Sequence, residues 1–398
     1  MKNRDKYLNQ LIGFKDKDWV KIIVGVRRCG KSTLLELMKN YLLSNNVSSS
    51  QIIKINFEHF GNEHLKNGID LHNHIQSLII NQNKYYLFID EVQEVSEWSK
   101  AVNSIRVAFN IDIYVTGSNS KIFIGEHLTY LAGRYISINM YPLSISEYTN
   151  FLDIKNIDES TYQSFIEGAF PAYVLEESDY NKQLIINDLY NSIFYRDILL
   201  RNNYKNESIF NRVSKYIFEN IGKPISIKKI ADTMTSNGDK VANQTIDNYV
   251  KAMMDAFVVY HCPRFDVLGK ELLKTQGKYY TVDFGLRNHS IGRQNLNTGF
   301  IYENFIFLEL IKQGYKVQTG KVGRDYKIDF VAQKGKEILY IQVAETIIDQ
   351  ITRDREARPF SYIDEKHKKI LVTTDRYKYS THQFDHMNTF EFIDFIQN

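Results

Sequence analysis

The chain has 398 residues, of which 43% are apolar and 24% charged, and these values are typical of a globular protein with several domains. Only two cysteines, Cys29 and Cys262, are present, which argues against a disulfide-stabilised secreted fold. The first residues lack the apolar core of a signal peptide, and no run of about 18 apolar residues follows, so we expect a cytoplasmic protein without a membrane partner. The net charge of +3 is too small to indicate nucleic-acid binding by itself.

A glycine-rich loop lies near the start of the chain. Residues 25–32 read GVRRCGKS and match the pattern G-x-x-x-x-G-K-[ST]. The loop follows the apolar run Val20–Val24, which predicts a buried strand, and it precedes residues 33–38, which have a helical composition. A strand, this loop and a helix, in that order, are the context in which the pattern binds nucleotide phosphates.

The residue types in this loop each have a chemical reason. Gly25 and Gly30 let the backbone approach the phosphates closely, so that successive N–H groups face the anion. Lys31 is predicted to reach the β- and γ-phosphates of ATP, and the Ser32 hydroxyl is predicted to ligate Mg²⁺. Cys29 is predicted to be a small filler residue rather than a reactive thiol. The predicted nucleotide-binding residues are Gly25, Val26, Arg27, Arg28, Cys29, Gly30, Lys31, Ser32 and Thr33.

Two adjacent acids follow the next apolar run. Residues 85–89 (YYLFI) predict a buried strand, and Asp90 and Glu91 stand at its C-terminal end. Ligands of open α/β sheets bind at the carboxyl ends of the strands. Asp90 is therefore predicted to hold Mg²⁺, and Glu91 to activate the attacking water. Alone, the two acids could form a solvated turn, but the upstream loop favours the functional interpretation.

A third strand, predicted at residues 111–116, ends in small polar residues. Ser118 and Asn119 are candidates to contact the γ-phosphate or the lytic water, although such residues also form turns. Arg134 could supply positive charge to the γ-phosphate, within the chain or across a subunit interface. A surface role for Arg134 is an equally good interpretation.

With these motifs, the chain resembles the prokaryotic AAA-type ATPases of the archaeal-ATPase class, which carry a C-terminal domain of long-unknown function. The matching segments are residues 15–38 (KDKDWVKIIVGVRRCGKSTLLELM), 87–95 (LFIDEVQEV), 116–122 (TGSNSKI), 131–144 (LAGRY and MYPLS), 167–174 (EGAFPAYV), 195–199 (YRDIL) and 278–288 (KYYTVDFGLRN). They span nearly the whole chain, and they are most specific in its first 150 residues.

The strand and helix pattern, together with the resemblance, predicts an α/β P-loop NTPase sheet with a helical lid, followed by winged-helix and nuclease-like α/β domains. The predicted boundaries are 1–145 for the ATPase core, 146–205 for the lid-like segment, 206–290 for the winged-helix-like domain and 291–398 for a unit similar to the PD-(D/E)xK nucleases. Within the lid-like segment, Arg196 could be a second sensor of the γ-phosphate, but a structural ion pair between Arg196 and Asp197 is the favoured interpretation.

The winged-helix prediction rests on two short helices. Residues 227–234 predict an amphipathic helix with Ser226 as its N-cap, and residues 243–255 predict a second helix after a polar turn. In a DNA-binding version, the second helix would present its N-terminal residues to the major groove. Duplex DNA and an unidentified protein are both open as partners, because winged helices also serve as packing modules.

The nuclease-like prediction contains a departure from the expected pattern. The resemblance places Glu303 and Asp329 at the first two acidic positions of the site, but Gln342 and Ala344 stand where an acid and a lysine are needed. We therefore expect a degenerate site, used for binding.

These observations predict a Mg²⁺-dependent ATPase whose hydrolysis drives a conformational switch coupled to DNA or to a protein partner. The preference for ATP rests on the resemblance alone. A low-turnover nucleotide switch that recruits a partner and an ATP-powered DNA nuclease are the alternatives. The sequence leaves the oligomeric state open.

Overall fold

The computed structural model describes residues 2–123, 130–155, 157–292 and 298–397, and these residues divide into two compact units. Unit 1 comprises residues 1–143, 170–198 and 255–257, and unit 2 comprises residues 144–169, 199–254 and 258–398. Among the described residues, no helix combines the length and the apolar character that crossing a membrane requires.

The chain alternates strands and helices in its first part and becomes mainly helical before a second group of strands. The strands are β1 (Val20–Val24), β2 (Ile52–Asn56), β3 (Tyr85–Asp90), β4 (Ile111–Gly117), β5 (Tyr135–Asn139), β6 (Val259–Asp266), β7 (Glu271–Thr281), β8 (Lys316–Val322), β9 (Tyr326–Lys334), β10 (Glu337–Val343), β11 (Lys368–Thr373) and β12 (Asp385–Asn388). The α-helices are α1 (Asp5–Gly13), α2 (Lys31–Ser44), α3 (Gly68–Leu78), α4 (Trp98–Ala108), α5 (Ile145–Phe151), α6 (Glu159–Phe165), α7 (Pro171–Val174), α8 (Asp179–Asn191), α9 (Glu207–Glu219), α10 (Ile227–Ser236), α11 (Asn243–Asp255), α12 (Phe284–Ile291), α13 (Thr298–Lys312), α14 (Gln350–Ala357) and α15 (Thr389–Gln397). A π-helix, Ser192–Leu200, follows α8.

Unit 1 is built on a five-stranded parallel sheet in the order β2-β3-β4-β1-β5. Every residue of β1, β3 and β4 is buried, as expected for central strands that helices cover on both faces. The apolar side chains of these strands form the core together with those of α3 and α4. The predicted parallel α/β sheet of the P-loop class is therefore confirmed.

The strand register brings the functional loops to one edge of this sheet. Val24 at the end of β1 pairs with Gly117 at the end of β4, and Ile89 of β3 pairs with Val115. Because all strands are parallel, the loops that follow β1, β3 and β4 leave the same edge.

A buried ion pair lies within this otherwise apolar sheet. Lys21 of β1 and Asp112 of β4 are both almost completely buried, and their side chains form a salt bridge. The second carboxylate oxygen of Asp112 accepts hydrogen bonds from the Tyr114 hydroxyl at 2.8 Å and from the Asp16 backbone N–H at 2.9 Å. Asp112 therefore satisfies three donors that water cannot reach freely.

We expect Asp112→Ala to lower the free energy of unfolding by about 3–5 kcal/mol, because it leaves the Lys21 ammonium without its buried counter-ion. Urea unfolding followed by circular dichroism measures this loss. The matched control is Asp188→Ala, since Asp188 forms an ion pair with Arg28 in which both side chains are about half exposed, and its loss should cost less than about 1 kcal/mol. Equal losses in the two variants would contradict the prediction.

Unit 2 contains a seven-stranded mixed sheet in the order β12-β11-β10-β9-β8-β6-β7. Strands β6 and β7 form an antiparallel hairpin, and β6 joins the rest of the sheet by parallel pairing with β8. Helices α9, α10 and α11 precede this hairpin along the chain. Helix α13 is buried along almost its entire length.

The compact units do not follow the predicted linear boundaries. The predicted lid-like segment 146–205 does not stay together, because residues 170–198 belong to unit 1 and residues 144–169 to unit 2. Hydrogen bonds within unit 2 account for the second assignment. The backbone N–H of Ile145 donates to Glu309 at 3.4 Å, and that of Ala169 donates to Asp283 at 2.7 Å. Segments far apart in sequence therefore form one body.

Candidate functional site

The glycine-rich loop connects β1 to α2, and its two flanking glycines are required by geometry. A Cβ atom on Gly25 would lie 1.9 Å from the carbonyl oxygen of Met140, which is far inside van der Waals contact. Gly30 has a φ of +108°, a conformation that residues with a Cβ atom rarely adopt. The sequence pattern therefore reflects a backbone path that only glycine follows easily.

The N-terminus of α2 closes the loop. The helix begins at Lys31, directly after Gly30, which has no side chain to cap the first turn. The Lys31 ammonium donates hydrogen bonds to the carbonyl oxygens of Gly25 at 3.0 Å and Val26 at 3.1 Å, so its side chain folds back over the loop. The Ser32 side chain is exposed. The loop therefore combines the N–H groups at the start of α2, the Lys31 ammonium and the exposed Ser32 hydroxyl. Such an arrangement binds phosphate.

The two acids lie at the same edge, beside the end of β4. Asp90 accepts a hydrogen bond from the Thr116 hydroxyl, and the Glu91 backbone N–H donates to that same hydroxyl oxygen at 2.9 Å. The Glu91 carboxylate accepts hydrogen bonds from the Ser118 hydroxyl at 2.9 Å and from the Gln93 amide. Both acids are buried and held in place by neighbouring side chains.

Opposing influences act on the pKa of Glu91. Burial raises it, whereas the Lys31 ammonium, the hydrogen bonds from Gln93 and Ser118, and the Arg27 guanidinium lower it, and the lowering prevails. Glu91 is therefore ionised at neutral pH, as a group that accepts a proton must be.

The other predicted site residues have different positions. Ser118 contacts Glu91, whereas the Asn119 side-chain oxygen accepts a hydrogen bond from the Lys121 N–H at 2.8 Å and so forms a turn. Arg134 is exposed, and its backbone oxygen pairs with the N–H of Val20, the first residue of β1.

The position of Arg134 corrects one of the two roles predicted for it. It precedes β5, so it lies at the edge of the sheet opposite to the glycine-rich loop, which follows β1. Five residues of strand separate these edges, or roughly 16 Å. Arg134 therefore does not reach the loop of its own chain, and a role across a subunit interface stays a prediction.

Cys29 is a residue of the loop, and its side chain is fully buried. Its thiol lies 3.4 Å from the Met140 carbonyl oxygen, and burial raises its pKa. The Arg4 guanidinium donates to the carbonyl oxygens of Cys29 at 2.9 Å and of Tyr141 at 2.7 Å. The cysteine thus fills space in a packed region, in line with the filler role expected from the sequence.

Sequence reasoning missed the ion pairs that the two loop arginines form. Arg27 binds Asp197 at 3.0 Å and Glu58 at 2.7 Å, and Arg28 forms an exposed pair with Asp188 of α8. The predicted pairing of Asp197 with Arg196 is therefore wrong. A signal was present in the sequence, because Asp197 shares the helical spacing of the apolar residues around it, which indicates a buried side chain with a distant partner.

The predicted metal ligands suit Mg²⁺. Within the described residues, no cluster of three or more His, Cys, Asp or Glu side chains could hold a metal ion by itself. Mg²⁺ usually takes one or two protein oxygens and completes its shell with nucleotide phosphates and water. The exposed Ser32 hydroxyl and the Asp90 carboxylate fit that requirement.

The nuclease-like positions in unit 2 are arranged around a lysine. The Lys278 ammonium lies 2.8 Å from Glu303 and 3.4 Å from Asp329. Burial lowers the pKa of Lys278, but the two carboxylates raise it by more. The Gln342 side chain accepts a hydrogen bond from the Asp329 N–H at 2.7 Å, and Ala344 packs against the apolar core of unit 2. The Lys278 ammonium thus supplies a positive charge next to both Glu303 and Asp329.

Comparison with known proteins agrees with the geometry of unit 1. Residues 17–149 match the family described as AAA domain, and residues 158–297 match a domain of unknown function. An uncharacterized protein of Haemophilus influenzae is 39% identical over 388 residues, which cover 95% of this chain and 94% of that protein. An uncharacterized protein of Methanocaldococcus jannaschii is 28% identical over 382 residues, which cover 89% of this chain and 82% of that protein.

A solved structure shares the fold. The Walker-type ATPase of Pyrococcus abyssi superimposes with a TM-score of 0.51 at 12% identity, over 73% of this chain and 96% of that one. The phosphate loop, the buried acids and the AAA domain match lead to one conclusion. The chain belongs to the same family as the Haemophilus influenzae protein, and it is an ATP-binding P-loop ATPase with an AAA domain.

Proposed function

We propose that Mg²⁺-dependent ATP hydrolysis at the edge of the unit 1 sheet drives a conformational switch coupled to duplex DNA. The observation that carries the hydrolytic part is the position of Glu91. Its carboxylate is buried, and the Lys31 ammonium helps to lower its pKa, so that it is ionised at neutral pH. A fixed base next to a phosphate-binding cation is what attack by water on a terminal phosphate requires.

Each residue of the site then has a role. The backbone of residues 25–33 holds the phosphates, and Lys31 leaves its contacts with the loop carbonyls to bind the β- and γ-phosphates. Ser32 and Asp90 would hold Mg²⁺, and the ion would supply positive charge against the charge that develops on the phosphate oxygens. Glu91 accepts the proton of the attacking water while Ser118 and Gln93 keep its carboxylate in position.

The topology of residues 206–290 supports a winged helix in unit 2. Helices α10 and α11 are separated by a short turn, and the hairpin β6–β7 follows them. A further antiparallel segment precedes α10, since Pro224 pairs with Lys278 of β7 and the N–H of Ile225 donates to Gly277. A bridged segment before two helices and an antiparallel hairpin after them are the arrangement expected of this module.

The surface of α11 suits a DNA contact. Its apolar side chains Ile246, Val250 and Met253 are buried, as the helical spacing predicts. The opposite face presents the exposed side chains of Asn243, Gln244, Asn248 and Lys251, with one exposed acid, Asp247, among them. Amide side chains can read base edges and lysines neutralise phosphates, so this face offers both kinds of contact.

We expect duplex DNA to stimulate phosphate release from MgATP, and Lys251→Glu to weaken that stimulation by opposing the DNA phosphates. Phosphate release measured across a DNA titration at several salt concentrations checks this. The variant should reduce the slope of log affinity against log salt by about 1. The matched control is Lys336→Glu, an exposed lysine in the turn between β9 and β10 of the same unit.

Other outcomes would favour the alternatives. If DNA leaves turnover and its salt dependence unchanged while ATP still binds, the coupling to DNA fails and a nucleotide switch that recruits a protein is favoured. Divalent-metal-dependent DNA cleavage that Asp329→Ala removes would favour a nuclease. The ion pairs of Lys278 with Glu303 and Asp329 stand against that activity, because the ammonium occupies the place between the acids.

A further inference from the structure

Arg27, in the middle of the phosphate loop, is held from two sides. Its Nε donates a hydrogen bond to Asp197 at 3.0 Å, and its Nη1 donates to Glu58 at 2.7 Å. The Asp197 side chain is 1% exposed, whereas that of Glu58 is 44% exposed. Asp197 therefore fixes the guanidinium, and Glu58 adds a weaker contact at the solvent side.

Asp197 lies in a buried part of unit 1. It lies on the π-helix Ser192–Leu200, whose residues Ile193, Phe194 and Ile198 are buried. Helices of this wide type are uncommon and are frequently found at functional sites. A buried carboxylate is costly without a cationic partner, and the Arg27 guanidinium supplies one.

The guanidinium keeps donors for a ligand. Nε and Nη1 are engaged, while Nη2 forms no hydrogen bond with any residue in the described part of the chain. Asp197 and Glu58 raise the pKa of Arg27 beyond the lowering effect of its burial, so it stays charged. Its charge also acts on Glu91, as does that of Lys31. Arg27, Lys31 and Glu91 thus belong to one electrostatic site.

We propose that Asp197 is a positioning residue that presents Arg27 to the terminal phosphate of the bound nucleotide, so that the site distinguishes ATP from ADP. This inference rests on the proposed role of Glu91. The base that activates water must lie beside the phosphate under attack, and a cation whose charge reaches that base lies at the same end of the nucleotide. The planar guanidinium suits phosphate oxygens because it offers parallel donors.

The geometry also connects the nucleotide to the following segment of chain. Asp197 and Glu58 hold the guanidinium at Nε and Nη1, and the terminal phosphate of ATP adds its charge at Nη2, so ATP and ADP leave different charges next to the π-helix. Asp188 of α8 binds Arg28 in the same segment, but that pair is exposed on both sides and weak. The buried pair therefore carries the nucleotide-dependent effect, and the exposed pair serves as its control.

The test compares the affinities of a non-hydrolysable ATP analogue and of ADP, each with Mg²⁺, by calorimetry. We expect Arg27→Ala to lower the affinity for the ATP analogue by about tenfold or more, and to change the affinity for ADP much less. Asp197→Asn should change the ratio of the two affinities in the same direction, and Glu58→Gln should do so to a smaller extent. Asp188→Asn should leave the ratio as in the wild type.

A merely structural role for Asp197 would not move this ratio. The inference is overturned if Arg27→Ala and Asp197→Asn lower the affinities for both nucleotides by the same factor. It is also overturned if the two variants change neither affinity. Glu58→Gln keeps the test meaningful if the buried substitution impairs folding, because Glu58 is half exposed. If the wild type binds neither nucleotide, the proposed function fails instead, and so the two failures are distinguishable.

Discussion

Lys31→Ala should reduce the steady-state release of phosphate from MgATP by at least about 100-fold. The lysine is the cation of the phosphate loop, and its ammonium is already directed over the loop by the carbonyl oxygens of Gly25 and Val26. Alanine removes the charge that would stabilise the β- and γ-phosphates and would also remove one of the charges that keep Glu91 ionised. A coupled assay for phosphate at saturating ATP measures the effect.

A second lysine of the same helix provides the control. Lys39 pairs with Glu36 at the surface of α2, eight positions after Lys31, and Lys39→Ala should leave turnover unchanged. Equal turnover in the wild type and in Lys31→Ala would mean that hydrolysis does not occur on this loop. Thermal melting curves of the wild type and of both variants separate a catalytic loss from unfolding. We expect Lys31→Ala to melt close to the wild type, because Lys31 is the first residue of α2 and not part of the apolar core.

The central sheet and its loop were predictable because their signals are local. Strand β3 is a short apolar run that ends in Asp90, and β1 is apolar apart from Lys21, a pattern typical of strands buried on both faces. The glycine pattern and the acids at the end of β3 then follow from the rule that ligands bind at the carboxyl ends of parallel strands. Each of these inferences uses residues that are neighbours in sequence.

The contacts of the loop arginines were not predictable in this way. Arg27 and Asp197 are 170 residues apart, and no local pattern links a loop to a helix at that separation. Arg196 stood next to Asp197 and was the obvious partner, but adjacent residues of a helix point in different directions. The position of Arg134, in contrast, follows from strand order, because a residue that precedes a parallel strand lies opposite to the ligand edge.

The composition of the two units was also beyond local patterns. Boundaries drawn along the chain assume that each domain is continuous, whereas unit 1 includes residues 170–198 and 255–257. Ion pairs hold part of the first of these segments to the glycine-rich loop, through Asp188 and Asp197. The helical spacing indicates that Asp197 is buried, but it does not identify Arg27 as the partner, so the pattern predicts the helices and not the unit to which they belong.

Glu91→Gln should lower turnover by about 100- to 1,000-fold while ATP still binds, since glutamine has nearly the shape of glutamate but cannot take a proton. Its amide can keep the contact with the Ser118 hydroxyl, so the buried group stays in place. Single-turnover phosphate release and the affinity for ATP, measured together, separate the chemical step from binding. A parallel loss of affinity and turnover would show that Glu91 supports the loop rather than the chemistry.

The pH dependence of turnover tests the same assignment without a substitution. The surroundings of Glu91 lower its pKa below the ordinary value of 4.5, because Lys31, Gln93, Arg27 and Ser118 together outweigh its burial. A base is active above its pKa, so turnover should be constant through neutral pH and fall only in acid below that value. A rate that falls as the pH drops through about 6.5 would instead indicate a histidine-like base. Ser118→Ala removes one of the contacts that lower the pKa, so it should move the acid limb of the profile upward.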